Sequence, residues 1–126
     1  MTSRLNRSTP LPSGVAEPVQ PTSVGILHLG VGAFHRAHQA VYTQEAMRLS
    51  GDFGWGILGV TGRSRRVAED LARQDGLCSV LTMGEGRWID VVGSIVDVLA
   101  PSDDTAAIRG ACACRDLHVV TMTATE

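Results

Sequence analysis

Val24-Gly-Ile-Leu-His-Leu-Gly-Val-Gly-Ala-Phe-His-Arg36 decides the fold of this 126-residue chain. Its first seven residues form a short apolar run closed by glycine, which suits a strand buried on both faces of a parallel sheet. Gly30-x-Gly32 follows, where the strand gives way to a helix. There a first glycine permits a tight turn and a second lets a pyrophosphate approach the backbone. Free amides and the positive end of the helix dipole would then meet the phosphate charges without a lysine. Two glycines at this spacing also occur in ordinary strand-to-helix turns. Position 35, where the usual fingerprint has a third glycine, is His. The surroundings must carry the rest of the reading.

Downstream, Phe34, Ala37, Ala40, Val41 and Met47 fall on one stripe at helical spacing, interrupted by Gln44, and predict a helix from Phe34 to about Leu49. Ser50-Gly51-Asp52 supplies its stop. Trp55 to Val60 is a second buried-strand run, followed by an amphipathic helix with Val67, Ala68, Leu71 and Ala72 inward and a Glu69–Arg73 pair on its wet side. Strand, helix, strand, helix means parallel strands joined by crossovers, the α/β class with a doubly wound, mostly parallel sheet. Cys78 to Met83 and Arg87 to Val92, separated by Gly84-Glu85-Gly86, read as an antiparallel hairpin inserted at the sheet edge. Ile95 to Leu99 is a further strand. Pro101 to Asp104 opens a short helix to about Ala111, and Leu117 to Thr123 is the last strand. Residues 1–22 hold four of the five prolines and read as an extended lead, so the domain proper covers 23–126.

Composition narrows the function classes. At 44% apolar and 19% charged, the chain can form one core and is far from the disordered corner. A net charge of −2 with scattered arginines offers no broad basic face, which argues against nucleic acid as a partner. No apolar run approaches the roughly 20 residues needed to cross a bilayer, and the N-terminus lacks the pattern of a secretion signal. Three cysteines, an odd number, fit reduced thiols and a cytoplasmic setting.

The segment from Gly30 to Tyr42, Gly-Val-Gly-Ala-Phe-His-Arg-Ala-His-Gln-Ala-Val-Tyr, resembles the signature of the mannitol dehydrogenase family of polyol-specific long-chain dehydrogenases. The likeness continues at Trp55-Gly-Ile-Leu-Gly-Val60, Gln74-Asp-Gly-Leu77, Gly93-Ser-Ile95 and Thr121-Met-Thr-Ala-Thr-Glu126, and Leu5-Asn6 is similar to the family's N-terminal lead. It therefore spans essentially the whole chain. The resemblance implies a nicotinamide-dinucleotide-binding Rossmann domain, the cofactor half of an enzyme that moves a hydride between NAD(P) and a polyol, sugar ketone or uronate. Zinc is not required. It further implies that Gly30, Gly32, Phe34, His35 and Arg36 line the cofactor phosphates, and that Thr121 to Thr123 approach the nicotinamide.

Two features depart from the family pattern. Cys78 stands where relatives commonly carry an aromatic residue. The family also continues into a large, mainly helical, substrate-binding domain that supplies a lysine proton donor in a Lys-x-x-x-x-Asn-x-x-His arrangement, and these 126 residues contain no lysine. No catalytic residue is therefore assigned within the chain, which is expected to be inactive alone. A non-catalytic dinucleotide-binding module and a truncated remnant are the alternatives.

After the second strand an NAD enzyme normally offers an acid to the ribose hydroxyls, and an NADP enzyme offers Arg or a small polar residue to the extra phosphate. Thr61-Gly-Arg63-Ser-Arg-Arg66 contains no acid. Arg63, Ser64 and Arg65 suit a 2′-phosphate, family habit favours NAD, and a capping Ser64 with solvated arginines is the bland alternative, so the choice stays open at this point. His35-x-x-His38 with Cys112-x-Cys114 has zinc-ligand chemistry, but the two pairs sit on distant elements, and the cysteines read as small residues near a helix end. His28 and His118, inside predicted strands, read as buried neutral imidazoles, and Trp55 and Trp88 as packing residues.

Overall fold

The apolar runs closed by glycine become strands, and the computed structural model, which describes residues 3–102 and 104–124, arranges them as an open doubly wound sheet. β1 (Val24–Leu29) is followed by α1 (Ala33–Ala37) and α2 (Gln39–Ser50), then β2 (Gly56–Val60) and α3 (Arg66–Ala72). The hairpin β3 (Cys78–Met83) and β4 (Arg87–Val92) precedes β5 (Ile95–Leu99), α4 (Thr105–Cys112) and β6 (Val119–Met122). The main sheet runs β5-β2-β1-β6, all parallel. The chain leaves β1 toward β2 and β5 on one side and returns to β6 on the other, so β1 and β6 flank the point where winding reverses.

Side chains alternate across each strand, and the alternation builds two cores. Ile26, Ile57, Ile95 and Val98 join Ala40 of α2 and Leu71 of α3 on one face. Leu27, Leu58 and Val60 form the smaller core on the other, against Ile108 and Ala111 of α4. Val19 of the lead is also buried, and Arg7 donates to the carbonyls of Val19 and Gly93, at 3.1 and 3.4 Å. Residues 3–22 form neither helix nor strand.

Several sequence expectations are corrected. The first helix is two helices, because His38 departs from helical geometry (φ −123°, ψ −87°) and its Nδ1 donates to the Phe34 carbonyl at 2.7 Å. That carbonyl is the one an unbroken helix would pair with the His38 amide, so side chain and backbone compete for it. Before the break the stripe fails: Phe34 and Ala37 are exposed and His35 is buried. After it, Gln44 does not interrupt the buried face but belongs to it. Its Oε1 accepts the amides of Val19 (3.1 Å) and Gly93 (2.8 Å), and its Nε2 donates to the Val91 carbonyl (3.0 Å). Ser94 adds a 2.6 Å bond to the Ala40 carbonyl. Together they tie α2 to the β4–β5 junction. The expected stop holds, with Gly51 left-handed (φ 72°) and its amide on the Met47 carbonyl.

The hairpin keeps its expected limits but forms its own two-stranded sheet instead of extending the main one. Its outer half exposes Leu81, Met83, Trp88 and Ile89, so Trp88 is not a packing residue. Ala72 is exposed, and among the described residues Asp70, not Glu69, carries the ion pairs of α3, to Arg4 (3.3 Å) and Arg66 (3.7 Å). His118 is exposed and leans on Trp55, with ring centroids 4.7 Å apart, because β6 is an edge strand. Asp103, Thr125 and Glu126 lie outside the described residues.

Candidate functional site

Beyond the carboxyl ends of β1, β2 and β6 lies a cleft of about 620 Å³, lined by Gly30 to His35, Gly62, Arg63 and Thr123. This is where open α/β sheets hold ligands, at the reversal of winding. The amides of Gly30 and Val31 both donate to the Val60 carbonyl, at 2.8 and 3.1 Å, and clamp the turn onto the end of β2.

The two glycines of the turn are there for different reasons. Gly30 has φ +93°, and a Cβ on it would stand 3.0 Å from the Thr123 carbonyl oxygen, so the backbone itself demands glycine. Gly32 is extended (φ −143°), and a Cβ there would meet nothing nearer than the Gly30 carbonyl oxygen at 3.9 Å. No atom of the described residues excludes a side chain at Gly32. The space it leaves is cleft, which fits a bulky anionic group drawn close to the backbone. Because α1 is only five residues long, the first-turn amides rather than a long dipole are the feature that faces such a group.

One wall of the cleft is an imidazole, His35, with a second imidazole stacked behind it. His28, on β1, and His35, on α1, are both buried, with ring centroids 3.7 Å apart and planes 14° from parallel. His28 Nδ1 lies 2.7 Å from Thr121 Oγ1, and Thr121 Oγ1 donates to Gln39 Oε1 at 3.2 Å. With its hydrogen committed to Gln39, the Thr121 hydroxyl accepts from His28, so Nδ1 carries the proton and Nε2 accepts from Thr123 Oγ1 at 3.0 Å. That is a neutral ring, and burial lowers the His28 pKa to match, against a smaller opposing effect of the Gly30 backbone.

His35 is only 2% exposed, and among the described residues neither of its ring nitrogens closes a hydrogen bond. Burial above all, then His28 and to a lesser degree Arg36, push its pKa down to about 4. The Gln39 amide pulls weakly the other way without completing a bond. A buried polar side chain without partners costs roughly 1 to 3 kcal/mol, and this one stands on the cleft wall.

Of the residues singled out from sequence, Gly30, Gly32, Phe34, His35, Arg63 and Thr123 share the cleft. Phe34 is 67% exposed and stacks on His38, centroids 4.2 Å apart. Three others do not line it. Arg36 Nε donates to the Gly32 carbonyl at 3.2 Å, and the residue borders a separate groove with Cys78 and Val80. Thr61 is buried, with both its amide and its hydroxyl on the Leu99 carbonyl. Thr121 stands in the layer behind, through His28. Sequence reasoning missed His28 and Gln39 as the support behind this wall. The available signal was the Thr121-x-Thr123 alternation, which puts two hydroxyls on one face of a strand. His38 is held by Phe34, and Cys112 and Cys114 are exposed at the end of α4, so the four residues with zinc-ligand chemistry are not one group. Among the described residues no helix is long and apolar enough to cross a membrane.

Residues 24–126 match the family model described as the mannitol dehydrogenase Rossmann domain. The mannitol 2-dehydrogenase of Cereibacter sphaeroides is 38% identical over 125 residues, which cover 97% of this chain and 26% of that protein. The D-mannonate oxidoreductase of Escherichia coli is 40% identical over 106 residues, 80% of this chain and 22% of that protein. Among solved structures, Pseudomonas fluorescens mannitol 2-dehydrogenase in a ternary complex with NAD and D-mannitol superposes with a TM-score of 0.87 at 37% identity, covering 96% of this chain and 26% of the other. A substrate-free D-sorbitol dehydrogenase gives 0.84 at 32% identity, covering 97% and 27%. The chain thus spans about a quarter of the length of these relatives. With its glycine turn, its order of winding and nearly its whole length matched, it belongs to the mannitol dehydrogenase family, as a Rossmann domain of that family.

Proposed function

We propose that residues 23–126, led in by residues 1–22, are the dinucleotide-binding half of a cytoplasmic oxidoreductase that moves a hydride between a nicotinamide cofactor and a polyol, sugar ketone or uronate. The contrast between Gly30 and Gly32 carries the reading. Gly30 is demanded by the fold, whereas Gly32 keeps open a space that the fold itself does not use. A pyrophosphate would occupy that space against the turn amides, with Phe34 and His35 beside it and Thr123 on the nicotinamide side. The nicotinamide would supply the hydride chemistry. The chain's own residues bind and orient it: His35, uncharged and backed by His28, presents a neutral face to the cleft, and Thr123, held by His28, presents a fixed surface. Substrate recognition and the proton donor would come from the further domain that the family resemblance implies.

The test is a titration of the 126-residue chain with NADH, followed by fluorescence and calorimetry, beside Gly32→Asp. That variant places a carboxylate in open cleft, so it should fold normally and lose binding at least tenfold, since about 1.4 kcal/mol of repulsion suffices. Wild-type and variant chains that bind NADH equally would rule out the Gly30–Gly32 turn as the cofactor site. Turnover of mannitol, fructose or fructuronate by the chain alone would refute the assignment of the proton donor to another domain.

A further inference from the structure

Thr61 turns inward under Leu99, so the first residues after β2 to reach the cleft are Gly62 and Arg63. This strand end is where a site selective for the unphosphorylated ribose holds an Asp or Glu, which accepts from the two ribose hydroxyls and repels a 2′-phosphate. Here residues 61–68 read Thr-Gly-Arg-Ser-Arg-Arg-Val-Ala, and the first acid, Glu69, lies in α3. Two described carboxylates on neighbouring elements have other engagements. Asp70 pairs with Arg4 and Arg66, and Asp104, beyond the neighbouring β5, accepts the Ala100 amide at 3.1 Å. Ser64 accepts the Arg66 amide at 3.2 Å, so its hydroxyl oxygen holds the turn. Arg63 is exposed, lines the cleft, and makes no hydrogen bond or ion pair among the described residues. A guanidinium presented to a cleft, with no carboxylate among the described residues that line it, is a receptor for a phosphate monoester.

We infer that the adenosine end of the cleft takes a 2′-phosphorylated ribose, with Arg63 as the specificity-determining residue, so that the chain binds NADP(H) more tightly than NAD(H). The inference rests on the dinucleotide reading above and deepens it. Arg63 forms charge-assisted bonds to the 2′-phosphate. The same position offers the free ribose hydroxyls only a donor, where an NAD-selective site offers an acceptor, so the preference has both an attractive and a missing element.

The experiment is calorimetric titration of the 126-residue chain with NADPH and NADH, and with 2′,5′-ADP, 3′,5′-ADP and 5′-AMP to isolate the adenosine end. NADPH should bind about tenfold more tightly than NADH, as one charge-assisted contact allows. The same order should hold for 2′,5′-ADP over 5′-AMP, with 3′,5′-ADP gaining less. The ratio should fall toward one in Arg63→Ala and be partly kept in Arg63→Lys, which retains the charge but not the fork. Arg115→Ala, exposed beyond α4, serves as the control and should leave the ratio intact. NADH binding as well as NADPH, or better, overturns the inference while the dinucleotide reading stands. A preference that survives Arg63→Ala overturns the assignment to Arg63. A folded chain that binds none of these ligands overturns both readings.

Discussion

Gln44 and His35 are equally buried, each 2% exposed, and lie nine positions apart on consecutive helices, yet the structure treats them oppositely. Gln44 has its carbonyl and amide both bonded, to three backbone groups on the lead, on β4 and in the β4–β5 junction. His35 has both ring nitrogens buried and neither bonded, against the cleft and stacked on His28. A satisfied buried amide holds distant segments in register, and an unsatisfied imidazole costs stability wherever it sits. The body of the domain therefore spends its buried polarity on cohesion. The cleft carries an uncompensated group that the fold would do better without.

The sharpest way to break this comparison is Gln44→Leu, which strands the Val19 and Gly93 amides and the Val91 carbonyl. At roughly 1 to 3 kcal/mol for each orphaned group, urea unfolding should show a loss of about 3 kcal/mol or more. A loss under about 1 kcal/mol would mean that Gln44 does not tie the lead to the body. Next comes acid. With a folded pKa of about 4 against 6.5 when unfolded, His35 takes its proton more readily in the unfolded chain. Its neutral form contributes full stability above about pH 6.5, and that contribution is lost as pH falls toward 4, roughly 3 kcal/mol in all. His28, lowered by burial, acts in the same direction. His35→Leu should therefore stay within about 1.5 kcal/mol of wild type at pH 7 and flatten the acid limb of the stability curve. An unchanged acid limb, or an NMR titration of His35 near 6.5, would remove the contrast.

The glycine pair extends the same contrast to the backbone. Gly30→Ala should cost about 1 to 3 kcal/mol through its left-handed φ and the Thr123 carbonyl. Gly32→Ala should change stability by less than about 0.5 kcal/mol, as open space allows. Equal losses at the two positions would show that both glycines serve the fold alone.

Strands were the legible part of this molecule because each is a short apolar run ended by glycine or a polar turn, and the winding followed from parallel crossovers. The break at His38 was hidden because its cause is a ring competing for a carbonyl, which periodicity does not register. Gln44 looked like a flaw in an apolar stripe, since its partners lie far away in sequence. The hairpin's strands were plain, but whether they would join the larger sheet depends on where the chain leads next. His118 read as buried because it fell inside the predicted last strand, but it lies just before β6, an edge strand, and is exposed. In the site, the turn glycines could be read from their spacing. Thr61 and Thr121 point into the protein because the Leu99 carbonyl and His28 claim them.

The pairing of β1 with β6 has a kinetic consequence. β1 meets β2 after one helical crossover, but it meets β6 only when nearly the whole chain has been made. Loop closure favours the shorter connection, so the β1–β2 ladder should protect its amides first and the Val119–Met122 amides last in pulsed hydrogen exchange during refolding. Thr121 and Thr123 travel with β6. Until they arrive His28 has neither hydroxyl, so the cleft is the last part of the domain to take shape, and an interrupted chain has a folded sheet before it has a place for its ligand.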